Sequence, residues 1–107
     1  MIYLVSNQSQ LLNEFENLSL EEALCELKSW DIIQYDSETT GRNPRICDLL
    51  CYQFGNKEKN IQIVVDASTI DIKCFKTILE SKLIIGHNLK FDIQFLYNYD
   101  IIPVYYG

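Results

Sequence analysis

The sequence predicts an α/β domain. Short runs rich in β-branched and aromatic residues recur along the chain: Ile2 to Val5, Ile32 to Glu38, Ile46 to Phe54, Ile61 to Val65 and Leu83 to Ile85. Amphipathic helical segments separate them. The second and third of the longer strands flank a charged turn, Gly55 to Asn60, and therefore read as a hairpin.

Each element has a local cause. Ser6 to Gln10 is polar and turn-like, and Leu11 to Asn17 fits neither period. Ser19 followed by Glu22 is a capping box, which starts a helix over about Leu20 to Ser29. Leu20, Ala23, Leu24 and Leu27 give that helix an apolar stripe, and Trp30 packs where it ends. Thr39 to Pro44 is a loop, broken by Gly41, Asn43 and Pro44. After the hairpin a helix runs over about Asp71 to Glu80, with Ile72, Phe75 and Leu79 inward. Gly86, His87 and Asn88 turn the chain into a last helix over about Leu89 to Tyr99, and Asn88 is a natural N-cap. Ile101 to Tyr106 is apolar and β-prone. Such a run favours association if nothing covers it.

Composition narrows the function. The 107 residues make one domain or part of one. No apolar run reaches the length of a membrane span, and the N-terminus lacks the pattern of a signal peptide, so a cytoplasmic protein is expected. A net charge of −6 argues against broad electrostatic binding of nucleic acid, but not against an acidic site that binds cations. Cys25, Cys47, Cys51 and Cys74 form no CxxC, and the single His87 is distant from them in sequence. Zinc is therefore not expected, and the four thiols read as reduced and partly buried.

The chemistry gathers at two places. Asp36 and Glu38 stand two apart on a strand, so they share one face at roughly 6–7 Å. Two like charges at that range repel, and a hard divalent cation between them removes the conflict. The second place is the last helix. At about 100° per residue, with Phe91 at 0°, Phe95 falls near 40°, Tyr99 near 80° and Leu96 near 140°. Asp92 falls near 100°, amid this apolar face, while Lys90, Gln94 and Asn98 lie opposite. A carboxylate there needs a partner. No basic residue is an obvious buried candidate, so a metal shared with Asp36 and Glu38 is the economical answer. Asn88 can serve as a helix cap, as a substrate contact, or as both. His87 reads as a surface residue of the turn.

The stretches YDSETTG and IIGHNLKFDIQFL resemble the first and second exonuclease motifs of DEDD-type 3′–5′ exonucleases, above all the proofreading domains of family A (polymerase I-like) DNA polymerases. The likeness spans nearly the whole chain, and the two motifs occur in the right order. It implies a ribonuclease H-like fold: a mixed sheet flanked by helices, with three antiparallel strands and one more parallel to the first. It implies two-metal hydrolysis with Mg²⁺ or Mn²⁺, in which Asp36, Glu38 and Asp92 match the first three acidic ligands. Thr39 and Asn88 match positions that contact the substrate. Arg42 stands where relatives often have an apolar residue against the terminal base.

The family's third motif, a Tyr or His followed four residues later by the fourth Asp, has no match within residues 1–107. The expectation is thus a partial exonuclease domain, incomplete at its C-terminal side: either a fragment of a longer polymerase or exonuclease, with a polymerase domain in cis, or a natural short product. Its substrate would be the 3′ end of single-stranded or frayed DNA. Two alternatives remain at the level of sequence. One is an RNA-trimming exonuclease of the ribonuclease D kind. The other is a non-catalytic module that binds metal, nucleic acid or a polymerase partner.

Overall fold

A computed structural model of the protein describes residues 1–8, 15–45 and 47–105. Among these the strands are β1 (Ile2–Val5), β2 (Ile32–Thr39), β3 (Leu49–Asn56), β4 (Ile61–Asp66), β5 (Leu83–Ile85) and β6 (Val104–Tyr105). The helices are α1 (Leu20–Lys28), α2 (Lys76–Ser81), which continues a 3₁₀ turn over Ile72–Phe75, and α3 (Leu89–Tyr97).

The strands form one sheet in the order β1-β4-β3-β2-β5-β6. β3 is antiparallel to both its neighbours, β2 and β4. The pairings β1–β4, β2–β5 and β5–β6 are parallel. β3 therefore runs against all the other strands. β2 lies between β3 and β5, so its residues are fixed from both sides.

The elements form for the reasons legible in the sequence. Ser19 and Glu22 make both bonds of the capping box: Glu22 N–H donates to Ser19 Oγ at 3.1 Å, and Ser19 N–H donates to Glu22 Oε1 at 2.9 Å. Ala23, Leu27 and Trp30 are buried. β3 and β4 close as the expected hairpin, with Asn60 at φ 55° in its turn. The helix expected from Asp71 begins instead as a 3₁₀ turn, capped by the Asp71 carboxylate, and becomes α-helical at Lys76.

Period two along β2 sorts the sheet into two faces. Ile33, Tyr35 and Ser37 are buried, whereas Ile32, Asp36 and Glu38 are exposed. The covered face carries the core, in which Tyr35, Tyr52, Phe54 and Phe75 pack with ring centroids 5.0–5.8 Å apart. No helix among the described residues is long and apolar enough to cross a membrane.

Two expectations change. Cys25 and Cys74 are exposed rather than partly buried, while Cys47 and Cys51 are half-buried. Ile101 is fully buried, whereas Ile102, Val104 and Tyr105 are exposed. The C-terminal run is thus only partly uncovered. Ile46 and Tyr106, at the ends of two expected strands, lie outside the described residues.

Candidate active site

The site is built on β2, where the chain brings carboxylates to a central strand. Asp36 and Glu38 share the open face, as their spacing requires. Asp36 Oδ1 accepts a hydrogen bond from the Ser37 N–H at 2.9 Å. Glu38 stands opposite Cys51 of β3. Immediately beyond, the register jumps from Glu38↔Cys51 to Thr39↔Leu49, leaving Leu50 as a bulged extra residue. A bulge here twists the strand and ends regular pairing beside the carboxylates.

Asp92 reaches the same stretch from α3. It is 2% exposed, and its Oδ1 accepts a 2.6 Å hydrogen bond from Ser37 Oγ. The turn before α3 makes this approach possible. A Cβ on Gly86 would meet the Tyr35 carbonyl oxygen at 2.6 Å, so only glycine lets the turn lie on the backbone of β2. The helical phase read from sequence holds in part: Asp92, Phe95 and Leu96 are buried and Lys90, Gln94 and Asn98 exposed, but Phe91 and Tyr99 are only half-buried and Ile93 is buried as well.

Asp92 meets β2 on the covered face, through the residue between the two other carboxylates. α3 packs on that face because its apolar residues Leu89, Ile93, Phe95 and Leu96 belong to that core. Among the described residues, no three His, Cys, Asp or Glu side chains form a group arranged to hold a metal ion. The three carboxylates nevertheless interact. Burial pushes the Asp92 carboxyl up, the Ser37 hydrogen bond pulls it back, and the charges of Asp36 and then Glu38 raise it further, to about 6.

The other oxygen of this group, Oδ2, is buried without a hydrogen-bond partner. An unsatisfied buried carboxylate oxygen is costly, by about 1–3 kcal/mol or more for a charged group. Such an oxygen, which feels the charges of two further carboxylates, is the donor type that a hard divalent cation takes. The Tyr35 hydroxyl is likewise buried without a partner, and burial, followed by the Asp92 charge, pushes its phenol well above the usual range.

Of the expected substrate-contact residues, Thr39 ends β2, Arg42 lies in the loop after it, and Asn88 precedes α3. Thr39 Oγ1 donates to the Gly41 carbonyl at 2.7 Å and closes the loop that carries the exposed Arg42. The Asn98 side chain donates to the Pro44 carbonyl and ties that loop to the end of α3. Asn88 holds the N-cap position, but its side chain makes no capping hydrogen bond; its carbonyl accepts from Phe91 and Asp92 instead. Its exposed amide is therefore not spent on the helix. On the open face a cleft of about 600 Å³ is lined by Ile32, Gln34, Lys57, Ile85 and His87, among others. Gln34, two residues before Asp36 on β2, lines this cleft, whereas Asp36, Glu38 and Asp92 do not.

Three residues escaped the sequence reading. Ser37 and Tyr35 were legible only as strand residues, although their inward phase beside Asp36 was a signal. The third is Asp66, at the end of β4. Its carboxylate accepts from Ser6 Oγ at 2.7 Å, Gln8 Nε2 at 2.7 Å, Ser68 Oγ at 2.6 Å, Ser68 N–H at 3.1 Å and Thr69 Oγ1 at 3.1 Å. It joins the segment after β1 to the turn after β4, which is a structural task.

Comparison with known proteins bears on the family and the fold. The model of a 3′–5′ exonuclease family of DNA polymerases of the A type matches residues 14–106. DNA polymerase I of Aquifex aeolicus (strain VF5) is 35% identical over 85 residues, which is 78% of this chain and 14% of that protein. The chain thus spans a small part of the length of that curated relative. Among solved structures, RNase D of Trypanosoma brucei matches with TM-score 0.71 at 18% identity, over 96% of this chain and 36% of that one. Escherichia coli RNase D matches with TM-score 0.62 at 20% identity, over 92% of this chain and 24% of that one. The EXO domain of Aedes aegypti Nibbler matches with TM-score 0.66 at 13% identity, over 99% of this chain and 48% of that one. These likenesses are of fold, a ribonuclease H-like mixed sheet with flanking helices. The match over nearly the whole chain and the polymerase relative go further: the chain belongs to the 3′–5′ exonuclease family of DNA polymerase I-like proteins.

Proposed function

We propose that this chain carries a divalent-metal site for hydrolysing the terminal phosphodiester at a DNA 3′ end, as the proofreading part of a cytoplasmic DNA polymerase. The observation that carries the reading is the Asp92 carboxylate. It is buried, has one unpartnered oxygen, and feels the charges of Asp36 and Glu38. Asp36, Glu38 and Asp92 would hold Mg²⁺ or Mn²⁺. When bound, such cations activate a water and stabilise the leaving 3′ oxygen.

The chain's own residues do the remaining work. Buried Asp92 supplies a fixed negative charge in a site of low dielectric, where it attracts a cation most strongly. Exposed Asp36 and Glu38 stay accessible to the substrate side. Thr39, Asn88 and Arg42, as the resemblance implies, would orient the terminal nucleotide; Arg42 would add a cation for phosphate. The cleft beside Gln34, where Lys57 and Lys59 stand with Asp31 and Glu58, would take the DNA strand leading to that end. DNA is favoured over RNA by the polymerase relative, since the RNase D likeness is one of fold.

Asp36, Glu38 and Asp92 are three of the four acidic positions that the resemblance implies, so slow turnover is expected from residues 1–107. The non-catalytic reading is favoured by one observation: no three ligands are already gathered among the described residues. One experiment separates the two. Excess protein is incubated with 5′-labelled single-stranded DNA, or RNA of the same sequence, in Mn²⁺ or chelator. The proposed function predicts slow, stepwise, Mn²⁺-dependent shortening of DNA, lost in Glu38→Ala. Saturable binding of Mn²⁺ and DNA without any shortening would favour the non-catalytic module. Preferential shortening of RNA would move the substrate class to RNA trimming.

A further inference from the structure

The residue between the two exposed carboxylates has no part in the reading above. Ser37 is 8% exposed and sits on the covered face of β2. Its hydroxyl donates to Asp92 Oδ1 at 2.6 Å, across 55 residues of sequence. The bond leaves the two oxygens of Asp92 unequal: Oδ1 is engaged, and Oδ2 is buried with no partner. The Ser37 N–H meanwhile donates to Asp36 Oδ1 at 2.9 Å. One residue therefore orients two carboxylates, its main chain holding Asp36 and its side chain holding Asp92.

We infer that Ser37 is a positioning residue of the metal site: its hydroxyl fixes the Asp92 carboxylate so that Oδ2 is the oxygen offered to a divalent cation, while Oδ1 is withheld. The inference rests on the metal-site reading above and adds to it the device that makes Asp92 a directed ligand. The physical ground is pre-organisation. A carboxylate free to rotate inside a cavity loses that freedom on binding a cation, and a short hydrogen bond removes the loss beforehand. The hydroxyl suits the task because it is one rotatable donor of small volume, anchored on a central strand paired on both sides. Gly86 contributes by letting α3 come close enough for a side chain as short as serine to reach.

The test is Mn²⁺ affinity of the 107-residue chain, read from the electron paramagnetic resonance signal of free Mn²⁺, for the parent, Ser37→Ala, Ser37→Thr and Asp92→Asn. Circular dichroism melts in chelator check that each variant folds. Loss of an outer partner of a metal ligand costs on the order of 10- to 100-fold in affinity. Ser37→Ala is thus expected to bind Mn²⁺ at least about 10-fold more weakly, and Ser37→Thr, which keeps the hydroxyl, to bind within about 3-fold of the parent. If Ser37→Ala does not fold, Ser37→Cys keeps the volume but donates weakly, and is expected to bind several-fold more weakly.

Parent-like or tighter binding by Ser37→Ala, with binding lost in Asp92→Asn, would overturn the role of Ser37 and leave the metal site standing. A threonine variant as weak as the alanine one would also overturn it, because that pattern marks packing rather than a donated hydrogen bond. No binding by the parent would overturn the metal site and the role of Ser37 together.

Discussion

Replacing Asp92 with asparagine should stabilise the metal-free protein at neutral and alkaline pH, although it removes a ligand. Folding moves this carboxyl from the ordinary value of 3.8 to about 6. The sign follows from proton binding. Below the unfolded value both states hold the proton, and Asp92 contributes no pH dependence. As pH rises from there to about 6, the unfolded chain releases the proton and the folded chain keeps it, so folding loses ground. Above about 6 the folded protein carries the whole penalty. A gap of about two pH units is about 3 kcal/mol at 1.36 kcal/mol per unit, and salt screening of the exposed Asp36 and Glu38 brings it nearer 2. Asparagine keeps the shape and the acceptor for Ser37 Oγ without the charge. Urea unfolding in chelator, followed by circular dichroism from pH 4 to pH 8, measures the effect. The variant should match the parent near pH 4 and exceed it by about 2 kcal/mol at pH 8. A variant less stable than the parent at pH 8, or parallel curves across the range, would refute the account of Asp92 as an uncompensated buried charge.

Gly86→Ala should destabilise the fold by about 1–3 kcal/mol, since its Cβ would meet the Tyr35 carbonyl oxygen at 2.6 Å. Gly41→Ala meets only the Cys47 side chain, which can move, and should cost less than half as much; calorimetric melting of both compares them. Asp66→Ala should cost about 2–4 kcal/mol in denaturant melts, because five hydrogen bonds end on that carboxylate. Burial pushes the Asp66 carboxyl up, but bonds from Ser68, Ser6 and Gln8 together hold it below the usual range. Its contribution is therefore full above the unfolded carboxyl value and lost as pH falls through the folded one, so acid melts of Asp66→Asn should lose that dependence. Ile102, Val104 and Tyr105 are exposed at the β6 edge and should promote weak self-association. Light scattering on dilution should show it, and Ile102→Lys with Val104→Lys should abolish it.

Much of this architecture follows from short-range rules that act within the chain. The capping box at Ser19 and Glu22, the hairpin and the phase of α3 are local, and each occurs where its pattern stands. The pairing of Asp36 with Glu38 is likewise a property of strand geometry. The arrival of Asp92 is not local. Its inward phase shows that it needs a partner, but which face of β2 it meets depends on how α3 crosses the sheet, and that depends on the close approach at Gly86. Ser37 was hidden for the same reason: a serine in a strand gains meaning only when a carboxylate 55 residues away reaches it. Asn88 shows the limit from the other side. Its N-cap position follows from propensity, yet its backbone at φ −115° and ψ 51° leaves the side chain off the helix. Ile101 is buried while its neighbour Ile102 is exposed, an alternation that no count of apolar residues reveals.

The most direct test of the central claim is anomalous diffraction from crystals of this chain soaked in Mn²⁺. The account predicts a peak within hard-cation distance, about 2.0–2.6 Å, of Asp92 Oδ2 and of an Asp36 oxygen, with Glu38 turned toward the same centre. A peak absent from this site at saturating Mn²⁺, or present in crystals of Asp92→Asn with unchanged height, would contradict it.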